Sequence, residues 1–190
     1  MSVSIRIESN LPLVTRLFKA MQQMGADMSP VMRDIAFLGE NSTRARFRSE
    51  SGPDGQRWEP SQRVQKSGGK TLTESGHLGN SIASGWTPRL AKWGTNRIYA
   101  AIHQFGGQID IAARSQQAYF RQDGRTGLVG NRFVKKRRSN FAQWVTLGPY
   151  SIEMPQRPFL GVSAEDEQDI LALVSDHISN LVRRNAPGGA

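Results

Sequence analysis

The chain has 190 residues, enough for one well-formed core, and its hydrophobic content of 37% is low for a self-contained globule. The absence of cysteine excludes disulfides and thiolate metal sites, and it fits a protein made in a reducing cytoplasm. No window approaches the roughly 20 apolar residues of a membrane span, and the N-terminus lacks the apolar segment of a signal peptide.

The net charge of +9 is concentrated in one part of the sequence. Between Gly107 and Asn140 there are eight basic residues and two acidic ones, so this stretch alone carries +6. Such an excess fits phosphate contacts with a nucleic acid, and it equally fits a solvated loop or a surface that meets an acidic partner. The bases that we single out as candidate contacts are Arg132, Lys135, Lys136, Arg137 and Arg138.

The first fifty residues predict a strand followed by two helices. Residues 3–7 alternate apolar and polar side chains, as in a half-buried strand. A first helix begins near Asn10 and Pro12, and its apolar stripe consists of Leu13, Val14, Leu17, Phe18 and Met21. A second helix begins with Ser29 as N-cap and Pro30 at the first helical position, and it runs to about Glu50. Its core-facing residues are Val31, Met32, Ile35, Ala36, Gly39, Thr43 and Phe47.

A turn and a polar segment follow the second helix. The cluster Gly52-Pro-Asp-Gly55 predicts the turn that ends this helix. The residues that follow, as far as Lys70, are polar, and we expect them to be flexible. Trp58 is the one large anchor among them, and we expect it to pin the loop to the body of the protein or to a partner.

The next elements are short. Strands are predicted at Ser81–Trp86 and at Ala91–Thr95, and a short helix is predicted at Tyr99–Phe105, where two glycines stop it. The stretch Gly107–Met154 predicts a hairpin-bearing insertion rather than a second domain, because it lacks the apolar mass for its own core. Its strand candidates are Gln108–Ile111, Ala118–Arg121, Gln143–Gly148 and Ser151–Met154, the last of which either pairs with the strand before it or continues it beyond Pro149.

The last predicted element is a helix that begins after Ser163. Ser163 and Asp166 have the spacing of a capping box, and the acids of the first turn suit the helix dipole. The apolar stripe of this helix consists of Ile170, Leu173, Val174, Ile178, Leu181 and Val182. Arg183 and Arg184 stand at its C-terminal end, and the tail Asn185–Ala190 cannot continue the helix.

The sequence offers no constellation that predicts catalysis or metal binding. His177 lies on the apolar face of the last helix, where we expect a satisfied core or edge histidine rather than a ligand, and His77 lies in a glycine-rich loop. The ring of His103 is placed to hydrogen-bond a backbone carbonyl and lock the turn that follows. The acids of residues 165–169 are bunched at one helix start, whereas paired catalytic carboxylates normally come from separate elements. We therefore expect no enzyme activity, no metal and no cofactor.

Five segments in a fixed order carry a resemblance to a known family. They are Phe47–Trp58 with its Pro-Asp-Gly turn, Leu72–Ile82, Trp93–Asn96, Tyr99–Gly106 and Arg157–Gly161. Together they resemble the phage virion morphogenesis (tail completion) proteins of Mu-like phages over roughly Met28 to Val182. One departure is Ser75, which stands where the family usually has threonine.

The resemblance implies an α+β fold, in which N- and C-terminal helices pack on a mainly antiparallel β-sheet. It implies one domain over residues 1–185, with the basic insertion at 107–154 and a flexible tail at 186–190. The implied role is that of a structural virion protein in tail completion and head–tail joining at the neck, as a ring around the DNA channel. Six copies are expected from tail symmetry in the family, and twelve would suit a position beside the portal.

The implied partners are other copies of the chain, neighbouring neck and tail proteins, and DNA in the channel as a further candidate. The implied location is the virion, at the neck or the head-proximal end of the tail, after assembly in the host cytoplasm. Two alternatives stay open: a tail terminator that caps the tail tube, and a DNA-binding protein that stacks bases on Phe133, Phe141 and Trp144. The assembly candidates are Trp58, Tyr99, His103, Gln104, Phe105, Arg157, Phe159 and Leu160. For Phe105, Phe159 and Leu160, the alternative is a place in the core.

Overall fold

The computed structural model describes residues 27–185, together with four helical positions earlier in the chain, 12, 15, 16 and 19. The predicted strand at residues 3–7, the apolar stripe of the predicted first helix and the tail 186–190 lie outside the described residues. The helices of residues 27–185 are α1 (Ser29–Ser49), α2 (Gln62–Ser67), α3 (His77–Asn80), α4 (Ala100–Phe105), a 3-10 turn (Lys136–Arg138) and α5 (Ala164–Asn185). The strands are β1 (Ala83–Thr87), β2 (Leu90–Gly94), β3 (Gly107–Ile111), β4 (Arg114–Phe120), β5 (Phe141–Leu147) and β6 (Tyr150–Met154).

Contacts divide the chain into two compact units. The first extends up to Gly106 and resumes at Pro155, and the second is Gly107–Met154, the bounds predicted for the insertion. Helices occur together with antiparallel strand pairs, which confirms the α+β class. No helix in the described part of the chain is long and apolar enough to cross a membrane.

Helix α1 is the centre of the first unit. It packs against the β1–β2 hairpin and against α5. The predicted apolar stripe is confirmed, because every residue named for it is buried. One core cluster joins α1 and α5, and it comprises Met28, Val31, Met32, Ile35, Ile170 and Val174. A second cluster collects residues distant in sequence, namely Phe47, Trp58, Leu78, Ile82, Ala100, Phe159 and Leu160.

Both ends of α1 differ in detail from the prediction. The N-cap is Met28 rather than Ser29, and no side chain caps at that position. The carboxylate of Asp27 instead accepts a hydrogen bond from the Ser29 N–H at 2.9 Å, so the serine hydroxyl is not needed for this role. At the C-terminus, Glu50 adopts a left-handed conformation (φ 56°), and the predicted Gly52–Gly55 turn follows with a 3.0 Å backbone bond between its two glycines.

The polar segment after this turn is more ordered than the sequence suggests. It contains α2, whose N-cap is Ser61 with its hydroxyl accepting a hydrogen bond from the Val64 N–H. Thr71 is fully buried, and its N–H donates to the carboxylate of Glu50 at 2.9 Å. The segment therefore contains a capped helix and is followed by an anchored residue, and its flexibility stays a prediction.

The two predicted strands and the short helix of the first unit are confirmed with shifted ends. Strands β1 and β2 pair antiparallel, with Ala83 opposite Gly94 and Thr87 opposite Leu90. Helix α4 ends at Phe105, as predicted, and Gly106 follows with φ 69° and Gly107 with φ 137°. Glycine suits these two positions because a Cβ atom makes both conformations costly.

The second unit is built on one long antiparallel ribbon. Strand β3 pairs with β6 and β4 pairs with β5, and both pairs keep one register, since Ile111 lies opposite Tyr150 and Arg114 opposite Leu147. The ladder is interrupted only at residues 112–113 and 148–149, where Pro149 has no N–H to donate. Strand β6 therefore continues along the same side of the ribbon as β5 beyond Pro149, which was one of the two predicted alternatives.

The final helix α5 has the predicted start. The Asp166 N–H donates to the Ser163 hydroxyl at 3.1 Å, and the Ser163 N–H donates to the Asp166 carboxylate at 2.8 Å. This reciprocal pair is a capping box, and it confirms the prediction. Ile170 and Val174 of the predicted stripe are buried against α1, and the side chain of Val182 lies outside the described residues.

Candidate functional site

The two segments that carry most of the resemblance, Tyr99–Gly106 and Arg157–Gly161, are bound to each other. Gln104 at the end of α4 is 4% exposed. Its side-chain oxygen accepts hydrogen bonds from the N–H groups of Phe159 and Leu160 at 3.0 and 2.9 Å, and its amide donates to the Leu160 carbonyl at 3.0 Å. One side chain therefore satisfies three backbone groups of a loop that carries buried residues, and we call this arrangement the motif clamp.

Further hydrogen bonds extend the motif clamp. The Arg157 N–H donates to the His103 carbonyl at 2.7 Å, and the Arg157 side chain donates to the Glu59 carbonyl at 2.7 Å. The Trp58 indole donates to the Pro158 carbonyl at 2.9 Å, and its ring packs edge-on against Phe47. Trp58 therefore pins its loop to the body of its own chain, which is the first of the two roles expected for it.

A buried ion pair fixes the other side of the same loop. Arg46 projects from α1, donates to the carbonyls of Phe159 and Gly161 at 3.0 and 2.9 Å, and pairs with Asp166 in the first turn of α5. Burial lowers the pKa of Arg46, and the adjacent Asp166 carboxylate works against that shift. One cation thus connects three elements, so its removal would leave several buried acceptors unpaired.

Asp166 is held ionised by its surroundings. Burial by itself would raise the pKa of this carboxyl group. Hydrogen bonds from the backbone N–H of Ser163 and from the hydroxyls of Ser42 and Ser163, together with the charge of Arg46, outweigh burial and lower the pKa below its usual value. The capping box and the buried ion pair therefore share one carboxylate.

His103 does not play the role that the sequence suggested for its ring. Its Nδ1 atom is buried and has no hydrogen-bond partner among the described residues, and the turn is fixed instead by the backbone carbonyl of His103. The ring of Tyr99 packs edge-on against the imidazole. Burial, and secondarily the charge of Arg157, lowers the pKa of His103, so the ring is neutral near pH 7.

The other two histidines, His77 and His177, lie on α3 and α5. The Nε2 atom of His177 is buried and has no hydrogen-bond partner in the described part of the chain, so the partner expected for this ring is not found there. His77 is exposed and begins α3, a single helical turn, rather than lying in a loop. Across residues 27–185 and the four earlier positions, no group of three or more histidines and acids is arranged to hold a metal ion.

Among the remaining assembly candidates, some side chains are buried and others are exposed to solvent. Phe159 and Leu160 are buried, as the core alternative predicted, whereas Phe105 is 58% exposed, contrary to that alternative. Tyr99 is also exposed, so both ends of the Tyr99–Phe105 segment present aromatic side chains to solvent. A second exposed apolar group lies elsewhere on the first unit and consists of Phe37, Trp86 and Leu90, with the first two rings 5.4 Å apart.

The basic residues singled out from the sequence lie together at the end of the ribbon. Residues 121–140 connect β4 to β5, and the 3-10 turn Lys136–Arg138 places three cations in succession. Arg132, Lys135, Lys136, Arg137 and Arg138 are all exposed, and none of them forms an ion pair in the described chain. We call residues 121–140 the basic tip.

The aromatic residues named as stacking platforms differ in exposure. Phe133 is exposed, and its ring packs at a tilt against Phe120 with centroids 5.2 Å apart. Phe141 is half-buried, and Trp144, in the middle of β5, is 73% exposed. The three side chains therefore do not provide three equivalent free platforms.

Sequence reasoning missed the role of Arg46. This arginine lies on the buried face of α1, between Thr43 and Phe47 of the apolar stripe. A charged residue beside such a stripe was the available signal, because a buried arginine requires a carboxylate or carbonyl partner. Its partner, Asp166, is 120 residues away in the chain, so no local pattern indicates which acid pairs with this arginine.

Comparison with known proteins identifies similar sequences. A profile of the phage virion morphogenesis family matches residues 10–179. The "Mu-like prophage FluMu G protein 2" of Haemophilus influenzae is 27% identical over 180 residues, which cover 94% of this chain and 99% of that protein. The "Putative capsid assembly protein G" of Escherichia phage Mu is 26% identical over 116 residues, or 61% of this chain and 51% of that protein. No solved structure matches the chain.

Proposed function

Because the chain belongs to the phage virion morphogenesis family, we propose that it acts in tail completion and head–tail joining, as a ring at the neck of the particle. Family membership and the names of the relatives support the broader role, a structural or assembly function in phage particle formation. The neck location, the ring and its expected six copies are the specific content of the proposal.

The observation that carries the proposal is the two-sided character of the Tyr99–Phe105 segment. Gln104 is buried in the motif clamp and Ala100 in the second core cluster, while Tyr99, the N-cap of α4, and Phe105, its last residue, are exposed. Exposed aromatic side chains on a rigid support are typical of contacts between protein subunits, where large apolar residues contribute most of the binding energy. A ring requires such a contact to repeat from one copy to the next.

The second unit supports the same role. A two-stranded ribbon is marginally stable by itself, and Ala118 and Phe120 are the buried apolar residues that the described part of this unit contains. Its apolar residues Tyr150 and Ile152 are exposed. A ribbon of this kind gains stability when a neighbouring subunit covers it, as assembly would provide.

A deletion of the gene in a Mu-like phage tests the proposal and its alternatives by electron microscopy of lysates. Head–tail joining predicts filled heads and complete tails that remain separate. A tail terminator predicts tails of abnormal length, and a capsid assembly role, as in the name of the phage Mu relative, predicts defective heads. Normal infectious particles would contradict all three roles, and complementation with the intact gene is the control.

The proposed subunit contact is tested by native mass spectrometry of the purified chain. We expect a ring for the wild-type protein and a shift to monomers for Phe105→Asp, because a charge at this exposed position opposes apolar contact. Leu128→Asp is the matched control, since Leu128 is an exposed apolar residue of the basic tip. Equal loss of the ring in both variants would contradict a specific contact at Phe105.

A further inference from the structure

The basic tip is an ordered structure rather than a loose loop. The side chain of Asn140 accepts from the Gln122 N–H at 2.7 Å and donates to the Gln122 carbonyl at 2.8 Å, in the manner of a strand pair. The carboxylate of Asp123 accepts from the N–H groups of Arg125 and Thr126 at 2.8 and 2.9 Å. These bonds order the backbone at residues 122–126 and join it to residue 140, so the charged side chains project from a hydrogen-bonded base.

The charge of the basic tip is large and uncompensated. Seven cations stand against a single acid, Asp123, whose carboxylate is already engaged by backbone N–H groups. All seven are exposed, and none forms an ion pair within the described residues; they are Arg121, Arg125, Arg132, Lys135, Lys136, Arg137 and Arg138. Cations at such density repel one another, and a polyanion relieves this repulsion.

A second copy of the chain does not have the charge that would complement the basic tip. Outside residues 107–154 the sequence contains seventeen basic and thirteen acidic residues, so that part is itself positive. A protein partner would have to supply matching carboxylates at seven positions, whereas duplex DNA presents one negative charge per about 1.7 Å of its axis.

The aromatic groups favour contacts with the DNA backbone over stacking on bases. The ring of Phe133 packs at a tilt against Phe120, and the amine of Lys136 lies 6.0 Å above the ring of Tyr119. Single-strand binding uses successive free aromatic faces, and the most exposed ring of this unit, Trp144, lies in the middle of β5, outside the basic tip. Phosphate contacts require only exposed cations, which the basic tip supplies.

We propose that the basic tip binds the phosphate backbone of duplex DNA without reading its sequence. The proposal rests on the proposed function for the origin of this DNA, since a ring at the neck surrounds the genome on its way through the particle. In that setting, contact without sequence preference is required, because every part of the genome passes the same site.

Fluorescence anisotropy of the full chain with a labelled 40-bp duplex, at a series of salt concentrations, tests this proposal. The variant K135Q/K136Q/R137Q/R138Q should bind at least about tenfold more weakly at 100 mM salt. Its salt dependence should be shallower by about 3–4 in log–log slope, since each lost phosphate contact removes about 0.9. The control K66Q/R89Q/K92Q/R97Q removes the same charge from exposed positions of the first unit and should change affinity less than about threefold.

Several results of these measurements would overturn DNA binding by the basic tip. Failure of the wild-type chain to bind duplex at 50 mM salt would overturn the proposal, as would an equal loss of binding in the control variant. Equally tight binding to poly-glutamate of the same total charge would overturn the assignment to DNA. If the quadruple variant unfolds, as judged by its thermal melting, K135Q and R138Q singly should each lower the slope by about 1. None of these results alters the deletion phenotype, so the deletion experiment tests the proposed function independently.

Discussion

The motif clamp and the ribbon use hydrogen bonds in opposite ways. In the clamp and the ion pair beside it, the side chains of Gln104 and Arg46 bind backbone groups 55 to 115 residues away, and these bonds are buried or partly buried. In the ribbon, each strand pairs with its neighbour in one register, and most side chains stay exposed. The segments that carry the resemblance therefore supply the buried scaffold and also the exposed Tyr99 and Phe105, whereas the exposed charge of the basic tip lies outside them.

The largest expected effect is the loss of the buried ion pair. Asp166→Asn leaves Arg46 buried without its carboxylate, and we expect unfolding free energy to fall by about 3–5 kcal/mol in a urea titration. Asp34→Asn is the matched control, because the Arg33–Asp34 pair is exposed and its loss should cost less than about 1 kcal/mol. Similar losses in both variants would contradict the central role of the buried pair.

The carboxyl group of Asp166 should also make the stability of the fold depend on acidic pH. Since the pKa of Asp166 is lowered in the folded state, its stabilising contribution is complete above the unfolded pKa, near 4, and is lost as the pH falls through the folded pKa. In wild-type protein, stability should therefore decrease from about pH 5 downward, and Asp166→Asn should show a shallower decrease. An identical acid profile in the two proteins, measured by urea unfolding, would rule out this contribution.

The second largest effect is expected when a glutamine of the motif clamp is replaced by leucine, and the same replacement in the ribbon is the control. Gln104→Leu leaves the N–H groups of Phe159 and Leu160 buried without an acceptor, and we expect a loss of about 2–4 kcal/mol. Gln108→Leu, at an exposed ribbon position, should change stability by less than about 0.5 kcal/mol. Similar losses of unfolding free energy in the two variants would contradict a larger contribution of the motif clamp to stability.

A steric change gives a smaller expected effect. A Cβ atom at Gly39 on α1 would lie 2.3 Å from the ring of Trp93, so Gly39→Ala forces the helix and the β2 strand apart at a cost of about 1–3 kcal/mol. At Gly124 in the basic tip a Cβ atom meets nothing within 4 Å, so Gly124→Ala should be close to neutral. Thermal unfolding of both variants measures the difference, and a neutral Gly39→Ala would show that Trp93 can move.

The smallest effect is the titration of His103. Burial and the charge of Arg157 lower its pKa in the folded state, so below about pH 6.5 the unfolded chain binds a proton that the folded chain does not. Stability should therefore fall as the pH is lowered from 7 until the folded pKa is passed. His103→Asn should reduce this slope, while the exposed control His77→Asn should retain it. A wild-type stability that does not vary between pH 7 and 5 would contradict the shift.

The sequence by itself determined the features that depend on neighbours three or four residues away. The buried stripe of α1, the capping box of Ser163 and Asp166, and the glycine stop after Phe105 follow from local periodicity and backbone preference. The net charge of the basic tip also follows from the sequence, because it is a sum over residues and does not depend on how the chain folds.

Only the tertiary structure decided how these elements are joined. The partner of Gln104, the pairing of Arg46 with Asp166, the continuous register of the ribbon and the unpartnered Nδ1 of His103 depend on residues that lie far apart in the chain. Residue type limits which groups can pair, but many acceptors along 190 residues satisfy that limit equally. The fold selects one of them by packing, because only the pair brought together in the core escapes the cost of burial without a partner.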